Sequence, residues 1–357
     1  PYIKYFMINS GAIFIMGFVN IIFLDKINNL LKTKKTSLIL FLLILSFIYI
    51  NTAFYRLAEH GTDRSALILI FLLVITYMES IRTLKKVFNA GKLVNYYEKI
   101  IILLLLIISL KSFYLIYLSL FLMWLYQLRF FVFKRQIISI FSNNIFTYIF
   151  IVGLSLSVLH VFLNTGCLVY PASFTCFDNF QWAIPEEQVQ QMKSWYSLWS
   201  KAGASPTFRI EDPELYLANF NWVFHWIKTY FFTKGTDAIF VIILISMICL
   251  FALKNIKNKN HVVYNHNYNP LFIILIILFL EWFINHPALR YGGYTLLALM
   301  FFIPLSIFLK TKVLFDNKFK KKVIILIVIA LSFFVIKNIS RLNKEHTKYR
   351  YNILINP

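Results

Sequence analysis

Five ionisable side chains, Arg56, Glu59, His60, Asp63 and Arg64, fall within nine residues between two long apolar runs, 37–55 and 66–81. Stripping that many charged groups of water beside a bilayer is costly, so a polar ligand is the usual reason to keep them there. Glu59 and Asp63 stand four apart, on one face if helical and close together if looped. Such a pair can take the proton of an acceptor hydroxyl, or hold a divalent cation that steadies a diphosphate. These two are the candidate catalytic residues, with Arg56, His60 and Arg64 as binding groups for an anionic substrate. The competing reading is local: Thr62 or Asp63 caps a helix that begins at Arg64, and Arg56 or Arg64 pairs with Glu59. The density of the cluster carries the functional reading.

A second constellation runs from Glu281 through Asn285, His286, Pro287, Arg290, Tyr291, Gly292 and Gly293 to Tyr294. Pro287 reads as a first helical residue with Asn285 or His286 as its cap. Arg290 then lies one turn in, and a guanidinium beside helix N-terminal amides makes a phosphate cradle. Glu281, inside an apolar span, is expected to pair with Arg290, His286 or Lys111. The alternative is an ion pair, with the glycines serving helix packing. Lys111 separates two apolar segments, 99–110 and 113–128. The first would measure only ~18 Å against a hydrocarbon core of ~30 Å. That predicts a hairpin of half-depth helices with Lys111 at its tip in a polar cleft, or a tilted pair whose lysine snorkels to the headgroups. No Walker loop, dinucleotide fingerprint, zinc spacing or nucleophile elbow occurs, so no metal ligands are assigned; a divalent cation is the one cofactor the acids suggest.

The elements that position these residues are read from composition. Of 357 residues 59% are apolar and 14% charged, which predicts an all-α polytopic membrane protein. The net charge of +21 sits in short loops rather than on one continuous face, which argues against nucleic acid. Ten apolar segments can be drawn: 5–24, 37–55, 65–81, 99–110, 113–128, 145–163, 236–253, 270–285, 291–309 and 323–336. The alternate loops 25–36, 81–98, 129–144, 254–269 and 310–322 are rich in Lys and Arg, hence cytoplasmic by the positive-inside rule. Ten of the fifteen acids fall on the other side. This registry places residue 1 outside the membrane, and nothing resembles a signal peptide; an upstream span is therefore expected to precede Pro1. Three regions result: transmembrane helices over 1–163, an external loop over 164–235, and transmembrane helices with a short external tail over 236–357.

Within the external loop Cys167 and Cys176 would form a disulfide in an oxidising compartment. Two amphipathic helices are expected next. Pro185, Glu186 and Glu187 make a first turn that leads to Val189, Met192, Trp195 and Trp199 on one face. Asp212, Pro213 and Glu214 repeat the signal ahead of Phe220, Val223, Phe224, Ile227 and Phe231. The tryptophans suit a lid of aromatic faces over a cleft, or plain anchoring at the outer interface.

The arrangement resembles the GT-C superfamily of glycosyltransferases that use polyprenyl-phosphate sugars, in particular bacterial membrane proteins related to it. The resemblance rests on many short-looped spans, paired helices around Leu110, Lys111 and Ser112, external acids, and Arg290 with Tyr291 at an outer helix start. It implies a multi-pass protein of the bacterial inner membrane, active on the non-cytoplasmic face, that transfers a sugar from a lipid-linked donor to a glycan or lipid acceptor. Lys111, His286 and Arg290 would neutralise the leaving phosphate, with Glu281, Tyr291 and Tyr294 around them. In that superfamily the principal acid lies in the first external loop, here expected upstream of Pro1, which leaves Glu59 or Asp63 a supporting role. An O-antigen-type polymerase or ligase is the second reading, relying on external arginines and histidine rather than acids. A flippase of lipid-linked oligosaccharides is the third, and would require charges deep in several spans and an internal repeat.

Overall fold

The computed structural model of the chain describes residues 2–56, 61–86, 89–130, 132, 134–205, 208–253 and 268–349. Their order is α1 (Tyr2–Lys32), α2 (Leu38–Ala53), α3 (Asp63–Lys86), α4 (Ala90–Leu110), a 3-10 segment (Ser112–Tyr117) running into α5 (Leu118–Leu128), α6 (Lys134–Asn143) and α7 (Ile145–Thr165). Then come α8 (Glu186–Lys201), the short α9 (Pro213–Leu217), α10 (Trp222–Trp226) continuing through a π-helical stretch (Ile227–Gly235) into α11 (Thr236–Leu253), α12 (Asn269–Asn285), α13 (Gly293–Lys312) and α14 (Asn317–Tyr349). Among the described residues there is no β-strand, only an isolated bridge between Cys167 and Cys176. Among the described residues seven helices are long and apolar enough to cross a membrane, and three shorter ones are apolar as well. The chain is an all-α membrane protein.

Two compact units can be distinguished, each built from separated stretches of chain. The first comprises Pro1–Ile75, Ala238–His266 and Leu297–Pro357. Its central helix is α2, which is apolar on every side and therefore buried on every side; fourteen of its sixteen residues are inaccessible. Ser37 caps it, its Oγ accepting from the Leu40 amide at 3.1 Å. Tyr49 packs against Phe54, Phe71 and Phe302 with centroids 5.6–5.7 Å apart, and Phe41 meets Phe319 of α14 edge-on. A polar pair is admitted beside it. The Asn20 and Asn51 amides exchange hydrogen bonds of 3.1 and 2.8 Å between α1 and α2, so neither is left wanting in an apolar setting.

The second unit comprises Thr76–Asp237 and Asn267–Leu296. Here α4 lies against α7, and Gly153 permits the approach, since a Cβ there would fall 2.7 Å from Leu105. Tyr97 and Thr147 add a hydroxyl bond of 2.7 Å between the same helices. The Tyr77 hydroxyl donates to Gln127 at 2.7 Å and the Trp124 indole to Ser80 at 2.6 Å.

Three expectations are corrected. The segment expected to be short, 99–110, is the end of a 21-residue helix. Asn89 caps it, and its first turns are too polar to register as a span, so hydropathy alone cut it by half. At ~32 Å it is long enough to cross. The second amphipathic helix does not form as drawn: α9 stops at Leu217, and the chain kinks at Asn219, with φ of 48°. Trp222 onward is the start of a helix that continues to Leu253, and Trp222, Trp226 and Tyr230 are buried rather than laid on an interface. Pro287 does not start a helix. His286 closes α12, Leu289–Tyr291 forms one 3-10 turn, and α13 begins at Gly293.

Candidate functional site

The turn after α12 is held by aromatic side chains from three elements. The Trp226 indole donates to the Pro287 carbonyl at 3.1 Å, and the Trp282 indole to the Ala288 carbonyl at 2.9 Å. The Leu289 amide donates to the Tyr230 hydroxyl at 2.8 Å, while the Tyr114 hydroxyl donates to the Arg290 carbonyl at 3.2 Å. A buried irregular backbone requires such partners, and their rigid rings fix where Arg290 emerges. Gly292 takes a φ of +131°, and a Cβ on Gly293 would lie 2.4 Å from the Trp282 ring. The glycine pair is there to seat Trp282.

The guanidinium of Arg290 stacks over Trp199 at 4.4 Å and over Tyr291 at 4.7 Å, and donates to the Tyr291 hydroxyl at 2.6 Å. Lys111, where α4 ends in extended backbone, sets its ammonium 4.5 Å from the same Tyr291 ring. The His286 ring stands edge-on to Phe113 and Tyr291, with centroids 5.5 and 6.0 Å away. Arg290, Tyr291, Lys111, His286 and Phe113, with Ser112, Tyr170, Pro171 and Tyr196, line a cavity of about 300 Å³. Burial pushes the His286 pKa down to about 4, and Lys201 and Lys111 add to the effect. Lys201, the last residue of α8, is itself lowered by burial. It rests over Trp222 at 5.2 Å, ahead of a turn at Gly203 with φ of +94°. Lys111, Lys201 and Arg290 make the region cationic, and no carboxylate lines the cavity among the described residues.

A second cavity, of about 410 Å³, adjoins the first. They share Ser112, and the loop closed by the Cys167–Cys176 disulfide (S–S 2.05 Å) lends Leu168 and Val169 to one wall and Tyr170 and Pro171 to the other. The second cavity is mostly apolar, with Ile108, Leu115, Leu154 and Val161 in its walls, and His160, Ser109 and Ser157 as polar exceptions.

The sequence-level candidates divide accordingly. Lys111, His286, Arg290 and Tyr291 meet at the cationic cavity. Glu281 does not join them in an ion pair; among the described residues it accepts from the Asn285 amide at 3.1 Å. Nor is the expected amide cradle present: the Leu289 and Tyr291 amides already donate within the protein, and Pro287 has none. Tyr294 lies beyond the cavity wall. Asp63 and Arg64 are buried at the head of α3, where Arg64 donates to the Arg56 carbonyl at 2.6 Å, and Arg56 is exposed. These three belong to the first unit and the cavity to the second. Glu59 and His60 lie outside the described residues, and among those described no group of three metal-ligating side chains gathers. Sequence reading passed over Phe113, Tyr170, Tyr196 and Lys201. The signal for Lys201 was its place at the end of α8, where a cation is favoured by the helix dipole.

A family model described as a domain of unknown function, DUF8201, matches residues 2–297. The chain belongs to the DUF8201 family. The matched stretch takes in every residue that lines the cationic cavity of this DUF8201 chain and ends inside α13, so α14 lies outside it. No curated protein and no solved structure matches the chain.

Proposed function

We propose that the chain is a membrane glycosyltransferase that takes a sugar from a polyprenyl-phosphate donor and passes it to a glycan or lipid acceptor on the non-cytoplasmic face of the bacterial inner membrane. The observation that carries this reading is the cationic cavity built by Lys111, Arg290 and His286 beside an apolar cavity that shares Ser112. A phosphate on a hydrocarbon chain needs such a pair of environments side by side, and together their size suits a drug-sized ligand or larger. As the bond between sugar and phosphate breaks, charge grows on the departing phosphate. Lys111 and Arg290 are fixed on aromatic rings where they would stabilise it without rearrangement. The aromatic walls offered by Tyr170, Tyr196 and Tyr291 are flat faces on which a sugar ring can rest. Ten helices, spanning or half-spanning, complete this reading, with the Lys-rich loops on the cytoplasmic side.

One observation favours the polymerase or ligase variant of the same chemistry: the described cavity wall carries arginine, lysine and histidine but no acid. The two readings separate by mutation. Introduced into the gene, Arg290→Ala should abolish glycan assembly while the chain still inserts at normal abundance, by labelled-sugar incorporation and immunoblot. Near-normal product refutes both. Glu59→Gln with Asp63→Asn should cut product at least a hundredfold if these acids serve the transfer; full activity leaves the polymerase or ligase reading.

A further inference from the structure

We propose that an anion entering the cationic cavity binds together with a proton, which His286 takes up, so that this ring matches the site to the charge of its ligand. The inference rests on the anion-binding reading above and adds what that reading lacks, a residue that tells a phosphate-class dianion from a weaker anion. His286 forms part of the cavity wall. Its ring is wedged against Phe113 and Tyr291, and its Nδ1 is buried with no hydrogen-bond partner among the described residues.

The groups that bear on it come from each neighbouring element. Lys111 ends α4, Lys201 ends α8, and Arg290 follows on the next turn. Tyr170 and Tyr196 face the cavity from the external segment. On its own helix, Glu281 is engaged by Asn285. Burial keeps the free ring neutral, with its pKa held near 4, and the field of these cations adds to the effect.

An oxyanion in the same cavity reverses that field. At contact distance and an effective dielectric of about 20, one unit charge alters the proton affinity of a neighbour by roughly a thousandfold. A dianion does more, and the ring then holds a proton at neutral pH. Because the protonated form is favoured only in the complex, affinity must rise as pH falls. The polyprenyl phosphate released when the sugar is transferred and a free inorganic dianion share this chemistry.

The test uses the full chain in detergent micelles with inorganic sulfate, which stays dianionic across the neutral range, so any pH dependence belongs to the protein. Binding is followed by tryptophan fluorescence, since Trp199 stacks on Arg290. Wild-type affinity should rise by up to about tenfold per pH unit between about pH 8 and pH 6. His286→Gln should show no such slope, and an unchanged melting temperature and tryptophan emission without sulfate certify its fold. A slope kept in His286→Gln, or a flat profile in wild type that still binds sulfate, overturns this inference alone. Sulfate that fails to bind wild type at any pH, or binds Arg290→Ala equally well, overturns the anion-binding reading with it.

Discussion

At the scale of single residues, the cavity depends on cations held by rings. Arg290 lies between Trp199 and Tyr291, and Lys111 shares the second ring. Such contacts contribute roughly 0.5–2 kcal/mol each, more when desolvated. Trp199→Leu should therefore weaken sulfate binding about fivefold in the fluorescence-independent readout of isothermal calorimetry, while leaving the His286 pH slope in place. Arg290, His286 and Tyr291 were legible in the sequence as polar groups at the edge of an apolar run. Lys201 was not, because 90 residues separate it from Lys111 and 85 from His286 in the chain, and only folding makes them neighbours. Glu281 misled for the converse reason. Its proximity in sequence to Arg290 suggested an ion pair, yet Asn285, one turn away on the same helix, reaches it first.

At the scale of elements, the turn between α12 and α13 is the part on which the site depends. Four ring-borne hydrogen bonds hold its backbone, and Gly293 admits Trp282. Gly293→Ala places a methyl 2.4 Å from that ring, an overpacking that costs about 1–3 kcal/mol. The expected outcome is a lower melting temperature of the solubilised chain together with weakened sulfate binding. Gly153→Ala, whose nearest neighbour is the flexible Leu105 side chain, should lower the melting temperature less and spare binding. The apolar runs announced the position of the apolar helices described, because burial of an apolar stretch in lipid needs little context. Helix ends were less legible. The start of α4 at Ala90 lies in polar residues, and the kink at Asn219 interrupts a stretch that periodicity reads as one helix.

For the whole molecule, the proposed orientation places the Lys-rich loops inside and the 164–235 segment outside. In intact cells a membrane-impermeant maleimide should label Asp178→Cys and spare Lys35→Cys, both exposed positions; the reverse pattern would invert the proposal. By itself the sequence determined the class: a chain with 59% apolar residues in helix-length runs has to satisfy its backbone within helices, because lipid offers no partners. It also put His286, Arg290 and Tyr291 at one helix end. Only the tertiary structure decided that Lys111, Trp199 and Lys201 join them while Glu281 bonds to Asn285. Charges and rings separated by tens of residues meet through helix packing, and no local pattern in the chain encodes that meeting.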